Sequence, residues 1–277
     1  MTLSPRAFII GHPVKHSRSP AIHGHWLKSY GLAGSYEAID VTASQLPDLF
    51  ARLRSAEFVG GNVTIPLKED VQAYCDGVDP LARQIGAVNT LVNRDGKVFG
   101  FNTDYLGFLA NLDQQAPGWD RSLGHAIVLG AGGAARAVLV ALANRGIKSI
   151  HILNRTADKA INLAAELKGP FHAHPLSSFA ELAPSAGLVV NTTSIGMDNT
   201  RFGHLPLDLL PGTALVTDIV YVPLETPLLA DARALGLKTV DGLGMLLHQA
   251  APGFTAWFGV EPQVTPELRA LIEETLL

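Results

Sequence analysis

The chain alternates short apolar runs with amphipathic segments, at first loosely and then, from residue 125, with a regular period. Runs rich in Val, Ile and Phe predict strands, and segments with one apolar face predict helices. In the first hundred residues, the predicted strands are 7–11, 36–41, 58–65 and 87–93, and the predicted helices are 19–32 and 46–56. Ser19 is expected to be the N-cap of the first helix, with Pro20 at the first helical position. Alternation of this kind predicts an α/β sheet.

The second series of elements is more regular than the first. Its predicted strands are 125–130, 149–155, 187–193 and 214–221, and its predicted helices are 132–146, 157–169 and 226–236. This is the βαβ series of a nucleotide-binding sheet. The polar tract 111–124 interrupts the pattern and predicts a connection between two domains. Two further predicted helices, 244–259 and 265–277, follow the final strand, and we expect them to pack back on the first domain.

A length of 277 residues favours two domains over one. We assign 1–106 together with 241–277 to one domain and 107–240 to the other. A composition of 47% hydrophobic and 17% charged residues suits a chain that buries sizeable cores.

Charge and cysteine content narrow the function classes. A formal net charge of -4 gives no electrostatic reason to expect nucleic acid as a partner. No apolar run reaches the roughly 18 residues of a membrane span, and the run before Gly11 is too short for a secretory signal. The single cysteine, Cys75, rules out an internal disulfide and fits a reducing compartment. We therefore expect a soluble cytoplasmic protein.

The ten histidines do not predict a metal site. His23 and His25 are two residues apart and diverge on a helix, and no cysteine cluster accompanies them. We expect the histidines to be at the surface or hydrogen-bonded.

A glycine-rich loop joins the first strand of the second series to its helix. The pattern G-x-G-x-x-A, with Ala135 in the third position, is a permitted form of the dinucleotide fingerprint. Its glycines allow a tight turn and a close approach of the backbone to a pyrophosphate, while the helix N-terminus offers free N–H groups to the anion. A plain connection between strand and helix is the alternative. The loop residues expected to bind the cofactor are Gly130, Ala131, Gly132, Gly133 and Ala134.

The end of the next strand indicates which dinucleotide binds. NAD-binding proteins usually carry an acid there to hold the ribose hydroxyls, but this chain has Asn154, followed by Arg155, Thr156 and Lys159. Arginine can pair with a 2'-phosphate through two parallel hydrogen bonds, whereas an acid would repel it. The sequence therefore favours NADP. In the alternative, Thr156 caps a helix and the two cations are merely solvated.

Polar residues of the first domain fall at predicted strand ends and loops, where α/β proteins place their ligand groups. These residues are Ser17, Ser19, Thr64, Lys68, Asn89, Asn102 and Asp104. Each has an ordinary alternative: Ser19 as a helix cap, Asn89 as a turn residue and Lys68 as an exposed charge.

Taken together, the motifs closely resemble one family. "GHPVKHSRSP", "GGNVTIPLKE", "IGAVNTL", "FNTD", "GAGGAAR", "NRT" and "DGLGMLLHQA" occur in the order and approximate spacing of shikimate dehydrogenases, over essentially the whole chain. The resemblance implies a substrate domain, completed by the last helices, and an NADP domain between them. It implies reversible hydride transfer between NADPH and the 3-carbonyl of 3-dehydroshikimate, a step of aromatic amino-acid biosynthesis.

The resemblance also implies roles for individual residues. Lys68 would be the general acid in reduction and the base in oxidation, with Asp104 as its partner. Ser17 and Ser19 would bind the substrate carboxylate. Ile219 and Gly242 would lie near the nicotinamide. The remaining contacts to the carboxylate or ring hydroxyls would come from Thr64, Asn89, Asp104, Tyr221 and Gln249.

One position departs from the family pattern, and two rival functions stay open. Tyr105 follows Asp104 where many relatives have glycine, and it either packs at the domain hinge or narrows the cleft. The nearest rival is a member that also oxidises quinate, with NAD as a further option. The second rival is a nucleotide-binding regulator that has lost its chemistry. A homodimer is one of the oligomeric states open to the chain.

Overall fold

The computed structural model describes residues 4–121 and 123–276. Met1 to Leu3, Ser122 and Leu277, which belong to the N-terminal segment, the polar tract and the last predicted helix, lie outside the described residues. The chain divides into two compact units. The first unit extends to Asp104 and takes in Leu247–Thr275, and the second comprises Tyr105–Leu246.

The first unit is built on six strands: β1 (Arg6–Gly11), β2 (Ser35–Asp40), β3 (Gly60–Val63), β4 (Gly77–Val78), β5 (Thr90–Arg94) and β6 (Lys97–Phe101). They form one mixed sheet in the order β2-β1-β3-β5-β6-β4. The pairs of β1 with β2 and β3, and of β4 with β6, are parallel, whereas β5 is antiparallel to β3 and β6. The helices are α1 (Ser19–Ser29), α2 (Leu46–Arg54) and α3 (Pro80–Ile85).

The strands of the second unit are β7 (His125–Leu129), β8 (Ile150–Asn154), β9 (Phe171–Pro175), β10 (Ala186–Asn191), β11 (Ile195–Asp198), β12 (Leu215–Asp218) and β13 (Lys238–Val240). Six of them form a fully parallel sheet in the order β9-β8-β7-β10-β12-β13, which is the doubly wound order of dinucleotide-binding folds. Strand order reverses between β7 and β10, and the glycine loop follows β7. The helices are α4 (Asp104–Gln115), which belongs to this unit from Tyr105 onward, α5 (Gly133–Asn144), α6 (Ala157–Leu167), α7 (Phe179–Leu182) and α8 (Pro227–Ala234).

Two C-terminal helices complete the first unit: α9 (Leu243–Phe258), which belongs to this unit from Leu247 onward, and α10 (Pro266–Glu274). Trp257 of α9 donates from Nε1 to the Leu91 carbonyl of β5 at 2.9 Å. The Nε1 of Trp26 on α1 donates to the Gln263 carbonyl, just before α10, at 3.0 Å. The predicted α/β class, with C-terminal helices returning to the first unit, is confirmed.

Helix α4 differs from the prediction. Residues 111–115, which the polar pattern placed in a domain connection, are its last residues. Asn111 lies on the buried face of this helix, and its Nδ2 donates to the Asp241 carbonyl at 2.7 Å. A polar side chain can occupy a core position when it is hydrogen-bonded in this way. A polar residue therefore interrupts the apolar face of α4, and the hydropathy pattern does not reveal the helix.

The strands that the prediction lacked include both edges of the second sheet. These are β9, whose residues are half-buried or exposed, and β13, which has three residues. Edge strands bury less of their surface, so their apolar pattern is weak. At the start of α1, the N-cap is Arg18 and not Ser19, so that prediction is wrong. The Ser19 backbone N–H instead donates to Ser17 Oγ at 3.2 Å.

Four histidines share one face of the second sheet: His125, His151, His172 and His174. His151 Nδ1 is 3.0 Å from His174 Nε2. Burial, together with the charges that the other three rings can carry, lowers the pKa of His151 to about 4. Within the described chain, no set of three or more His, Cys, Asp or Glu side chains is arranged to hold a metal ion. Nor is any helix of residues 4–121 and 123–276 long and apolar enough to cross a bilayer.

His23 is fully buried in the first unit, whereas we expected the histidines to be at the surface or hydrogen-bonded. Its ring stacks on Tyr36, with centroids 4.0 Å apart, and contacts the rings of Trp26, Phe254 and Trp257. Burial lowers the pKa of His23 to about 3, and the Asn62 side chain opposes this only in part. The neutral imidazole of α1 thus packs against aromatic side chains of β2 and α9.

The buried imidazole predicts a pH dependence of stability that His23→Phe removes. An unfolded chain protonates this histidine near pH 6.5, whereas the folded chain keeps it neutral down to about pH 3. Stability is therefore full above pH 6.5 and falls by about 1.4 kcal/mol per pH unit below it. Urea unfolding followed by tryptophan fluorescence at pH 7, 6 and 5 should show His23→Phe gaining on the wild type as pH falls. The control is His16→Phe, at an exposed histidine; parallel curves for wild type and His23→Phe would contradict the prediction.

Candidate active site

Lys68 and Asp104 form an ion pair in the first unit. Lys68 Nζ lies 2.6 Å from Asp104 Oδ2, and the side chains are 27% and 16% exposed. The Lys68 carbonyl accepts a hydrogen bond from the Val88 N–H at 2.8 Å, which ties the lysine to the segment leading into β5. A partly exposed ammonium held by a carboxylate can give a proton to a ligand oxygen and take it back. The pairing expected from the resemblance is thus present in the structure.

Asp104 is held at the start of α4. It is the first residue of the helix, where the helix dipole stabilises a carboxylate. Its N–H donates to Asn102 Oδ1 at 3.1 Å, and Asn102 Nδ2 donates to the Ala87 carbonyl at 3.0 Å. Asn102 therefore fixes the turn that presents Asp104.

Asn89 joins Asp104 to Gln249. The Asn89 side chain is only 2% exposed, and its Nδ2 donates to Asp104 Oδ1 at 2.8 Å and to Gln249 Oε1 at 3.4 Å. Asn89 precedes β5, and Gln249 comes from α9. Four of the predicted site residues, Lys68, Asn89, Asp104 and Gln249, thus lie together in one unit.

Thr64 lies where the parallel strands β1 and β3 end side by side. Its N–H donates to the Ile10 carbonyl at 2.8 Å, and its methyl group occupies the space that a Cβ at Gly11 would need. The loop that follows β1 carries half-buried Ser17, and buried Ser19 is the first residue of α1. These three hydroxyl-bearing residues follow the carboxyl ends of adjacent strands, the usual ligand-binding edge of an α/β sheet.

Sequence reasoning missed two polar residues near this edge, Tyr36 and Asn62. The Tyr36 hydroxyl donates to Asn62 Oδ1 at 2.6 Å. Burial raises the pKa of Tyr36 well above its usual range, and hydrogen bonds to Ser19 and Asn62 oppose this in part. The available signal was Asn62 itself, a polar residue inside the apolar run "GGNVTI".

The glycines of the loop after β7 have different structural causes. Gly130 has φ +108°, and a Cβ there would meet Thr193 Cγ2 at 2.8 Å, so the fold itself requires glycine. Gly132 has φ −93°, which any residue adopts, and a Cβ there would meet no atom within 4 Å. Gly132, Gly133 and Ala134 are exposed, and Gly132 gives α5 no side-chain cap.

Gly132 leaves open space beside the backbone of the loop. Since the fold does not need glycine at this position, the missing side chain leaves room for a ligand against the backbone. The uncapped N-terminus of α5 supplies N–H donors to an anion in that space. Half-buried Ala131 completes the loop.

The residues after β8 are arranged around Thr156. Asn154 Nδ2 donates to the Thr156 carbonyl at 2.8 Å. Thr156 is the N-cap residue of α6, as the alternative interpretation expected. Its side chain, however, makes no capping hydrogen bond. Arg155 and Lys159 are exposed, and β8 is the direct neighbour of β7. Arg155 and Lys159 therefore follow the same edge of the sheet as the glycine loop does.

Ile219 and Gly242 are in contact within the second unit. A Cβ at Gly242 would lie 2.5 Å from the Ile219 carbonyl oxygen, so glycine is needed for this close approach. Tyr221 is half-buried in the same loop after β12. Tyr105, the departure from the family pattern, is half-buried in the first turn of α4.

Asp218 anchors this loop and was missed by sequence reasoning. Its carboxylate accepts hydrogen bonds from Asn191 Nδ2, Thr226 Oγ1 and the Val220 N–H at 2.7–2.9 Å. Burial raises the pKa of Asp218, and these three donors limit the rise. An acid at the end of an apolar strand was the available signal.

Together these features define a class of protein. One unit carries a doubly wound sheet with a glycine loop shaped for a dinucleotide, and the other carries a lysine that can exchange a proton. Those are the parts of a nicotinamide-dependent oxidoreductase.

Comparisons with known proteins identify the family. Family models match 9–91 (shikimate dehydrogenase substrate binding domain), 115–200 (shikimate/quinate 5-dehydrogenase) and 242–272 (shikimate 5'-dehydrogenase C-terminal domain). A shikimate dehydrogenase (NADP(+)) of Mesorhizobium japonicum is 56% identical over 98% of this chain and 97% of its own. The chain belongs to the shikimate dehydrogenase family, as its motifs predicted.

Two solved structures show the similarity in three dimensions. Shikimate 5-dehydrogenase from Thermus thermophilus, in complex with NADP(H) and shikimate, has 42% identity and a TM-score of 0.84 over 98% of both chains. Quinate dehydrogenase from Corynebacterium glutamicum, in complex with NAD, has 31% identity and a TM-score of 0.88 over 98% of this chain and 99% of its own.

Gly132→Ser should separate cofactor affinity from stability. Serine is a favoured N-cap residue and meets no atom of the protein at this position, so the melting temperature should stay equal or rise. Its side chain fills the space against the loop, so the affinity for NADP+ should fall by about 10-fold or more, an effect of about 1.4 kcal/mol. Fluorescence titration and thermal melts measure the two quantities. Gly212→Ser, at another open glycine, is the control; unchanged NADP+ affinity in Gly132→Ser would rule out a pyrophosphate at this loop.

Proposed function

We propose that the protein catalyses the NADP-dependent, reversible reduction of 3-dehydroshikimate to shikimate. The observation that carries this proposal is the Lys68–Asp104 pair, with Nζ and Oδ2 2.6 Å apart, in a chain 56% identical to a shikimate dehydrogenase (NADP(+)). The paired side chains stay partly exposed, which a proton donor to a substrate requires.

The chemistry divides between a hydride and a proton. Bound NADPH supplies the hydride to the carbonyl carbon. Lys68 gives its proton to the carbonyl oxygen during reduction and takes it back from the hydroxyl during oxidation. Asp104 holds the Lys68 side chain in place, because its carboxylate is itself fixed by Asn89 and by the start of α4.

The substrate is a small hydroxylated acid, and the proposed contacts match its groups. Ser17 and Ser19 bind the carboxylate through hydroxyl donors near the start of α1. The ring hydroxyls need partners that donate or accept hydrogen bonds, which side-chain amides and hydroxyls and an accepting carboxylate provide. The proposal assigns these contacts to Thr64, Asn89, Asp104, Tyr221 and Gln249.

Cofactor binding is assigned to the second unit. The loop from Gly130 to Ala134 would hold the pyrophosphate, and Ile219 and Gly242 would lie beside the nicotinamide. Arg155 is the proposed partner of the 2'-phosphate, supported by Asn154, Thr156 and Lys159. An exposed guanidinium can form two parallel hydrogen bonds with a phosphate, which a lysine cannot.

A broader activity on quinate is the second candidate. It is favoured by the likeness to a quinate dehydrogenase solved with NAD. Against NAD, the end of β8 carries Asn154 instead of an acid, and two cations lie close by.

The proposal extends to location and assembly. A cytoplasmic protein agrees with the single cysteine, Cys75, whose thiol pKa burial raises to about 12. The net charge of -4 agrees with a small-molecule substrate and gives no electrostatic reason to expect a nucleic-acid partner. The proposed assembly is a homodimer, which analytical ultracentrifugation distinguishes from a monomer.

Lys68→Ala should lower turnover by roughly 100-fold or more, the scale expected for lost acid–base catalysis. Cofactor affinity should stay near the wild-type value, because the glycine loop lies in the other unit. Initial rates at saturating shikimate and NADP+, with a separate NADP+ titration, measure both. Lys97→Ala, at an exposed lysine of the same unit, is the control. Wild-type turnover in Lys68→Ala would make the lysine an ordinary surface charge.

Rates with two substrates and two cofactors test the function and the role of Arg155. The wild type should use shikimate with NADP+ best, and Arg155→Ala should weaken NADP+ far more than NAD+. Arg155→Lys should be intermediate, since it keeps the charge and loses the paired geometry. Arg201→Ala, at an exposed arginine paired with Asp231, is the control. A preference for quinate with NAD+ would reject the assignment, and cofactor binding without absorbance change at 340 nm would indicate a regulator.

A further inference from the structure

A buried chain of hydrogen bonds lies behind the Lys68–Asp104 pair. It starts at Tyr36, passes through Asn62 to Thr90 and Asn89, and ends at the Asp104 carboxylate. Asn62, Asn89 and Thr90 are each no more than 3% exposed. Buried polar groups in such numbers must satisfy one another, so the direction of each bond is constrained.

The Asn89 amide has only one workable orientation. The Thr103 backbone N–H lies 2.8 Å from Asn89 Oδ1, and a backbone N–H can only donate. The oxygen of the amide must therefore face Thr103, which turns Nδ2 toward Asp104 Oδ1 at 2.8 Å. With Oδ1 of Asp104 occupied, its Oδ2 is presented to Lys68.

The Asn62 amide is fixed by the same logic. Its Nδ2 lies 3.2 Å from the Asn89 backbone carbonyl, which can only accept. Asn62 therefore also donates to Thr90 Oγ1, at 3.3 Å, while its own oxygen accepts from Tyr36. Strand pairing supports this arrangement, since Asn62 of β3 is directly opposite Thr90 of β5.

The Thr90 hydroxyl connects the two amides. Because it accepts from Asn62, its single hydrogen is free to donate to Asn89 Oδ1 at 2.9 Å, which is nearer than the other acceptor, Thr103 Oγ1, at 3.2 Å. The Asn89 oxygen then accepts from the Thr103 N–H and from the Thr90 hydroxyl, with the Thr103 hydroxyl a more distant donor at 3.2 Å.

We infer that Thr90 is a positioning residue for the Lys68–Asp104 pair, acting through the Asn89 amide. The inference rests on the proposed function and names a residue that does not contact the reacting groups. Removing the hydroxyl takes away one of the donors to the Asn89 oxygen, so that the amide is held against Asp104 less firmly, by the Thr103 N–H and hydroxyl that remain. The Asp104 carboxylate is then held less firmly toward Lys68, while the fold around β5 stays intact.

A purely structural role is the alternative for a buried threonine. In that role the hydroxyl satisfies Asn62, and its loss lowers stability without changing how the catalytic pair is held. The two roles differ in their dependence on Asn89. A positioning effect disappears when Asn89 cannot transmit it, whereas a structural effect is independent of that side chain.

The test is a double-mutant cycle on turnover with shikimate and NADP+. Thr90→Val keeps the shape and removes the hydroxyl, and should lower kcat by about 3- to 10-fold, the scale of one buried hydrogen bond. Thr90→Ser should restore kcat to within about 2-fold of the wild type, since it keeps the donor. In an Asn89→Ala background, Thr90→Val should change kcat by less than about 1.5-fold, because Asn89 no longer carries the effect. Thr217→Val, at a buried strand threonine of the second unit, controls for general loss of a hydroxyl.

The outcomes are distinct. Wild-type protein without turnover overturns the proposed function and this inference with it. An active wild type with equal kcat in Thr90→Val, or with the same fold loss in both backgrounds, overturns the inference alone. If Thr90→Val does not fold, as judged by circular dichroism, Thr90→Ala is measured in the same cycle with the same expectations.

Discussion

A single backbone N–H, that of Thr103, sets the orientation of the polar site in the first unit. Because it can only donate, the buried Asn89 oxygen must face it, and the Asn89 nitrogen must face Asp104. An unpaired amide at this depth would cost a few kcal/mol. Because leaving the Asn89 amide unpaired is so unfavourable, only the orientation that pairs both its oxygen and its nitrogen is populated. The ion pair with Lys68 is the exposed end of an arrangement that the interior has already fixed.

The second unit solves a different problem, that of presenting a backbone to an anion. Reversal of strand order between β7 and β10 opens a crevice at the carboxyl edge of the sheet, and the glycine loop begins there. Gly130 and Gly132 look alike in the sequence but answer to different constraints. The first is required by its φ and its neighbours, whereas the second is unconstrained by the protein. Only the second glycine points to a ligand.

Sequence pattern recovered the elements whose burial is strong and lost those whose burial is weak or polar. The central strands, such as β7 and β10, are continuous apolar runs, which are easily recognised in a sequence. Edge strand β9 carries histidines, and the buried face of α4 carries Asn111, so hydropathy could not reveal either. At the site, the resemblance to a family located Lys68 and Asp104. Reasoning from composition could not locate Thr90 or Asn62, because a hydrogen bond across paired strands leaves no local signature.

The order in which the chain is synthesised has a consequence for the first unit. Its sheet is complete once Phe101 has been made, but the indole that donates to the Leu91 carbonyl is Trp257, near the end of the chain. At about 5–20 residues per second, a ribosome needs roughly 7–30 s to make the intervening second unit. During that interval α9, which packs on the aromatic side chains of α1, has not yet been made. The second unit, which is contiguous in sequence, can already fold. The first unit of the nascent chain thus lacks part of its core until α9 has been made.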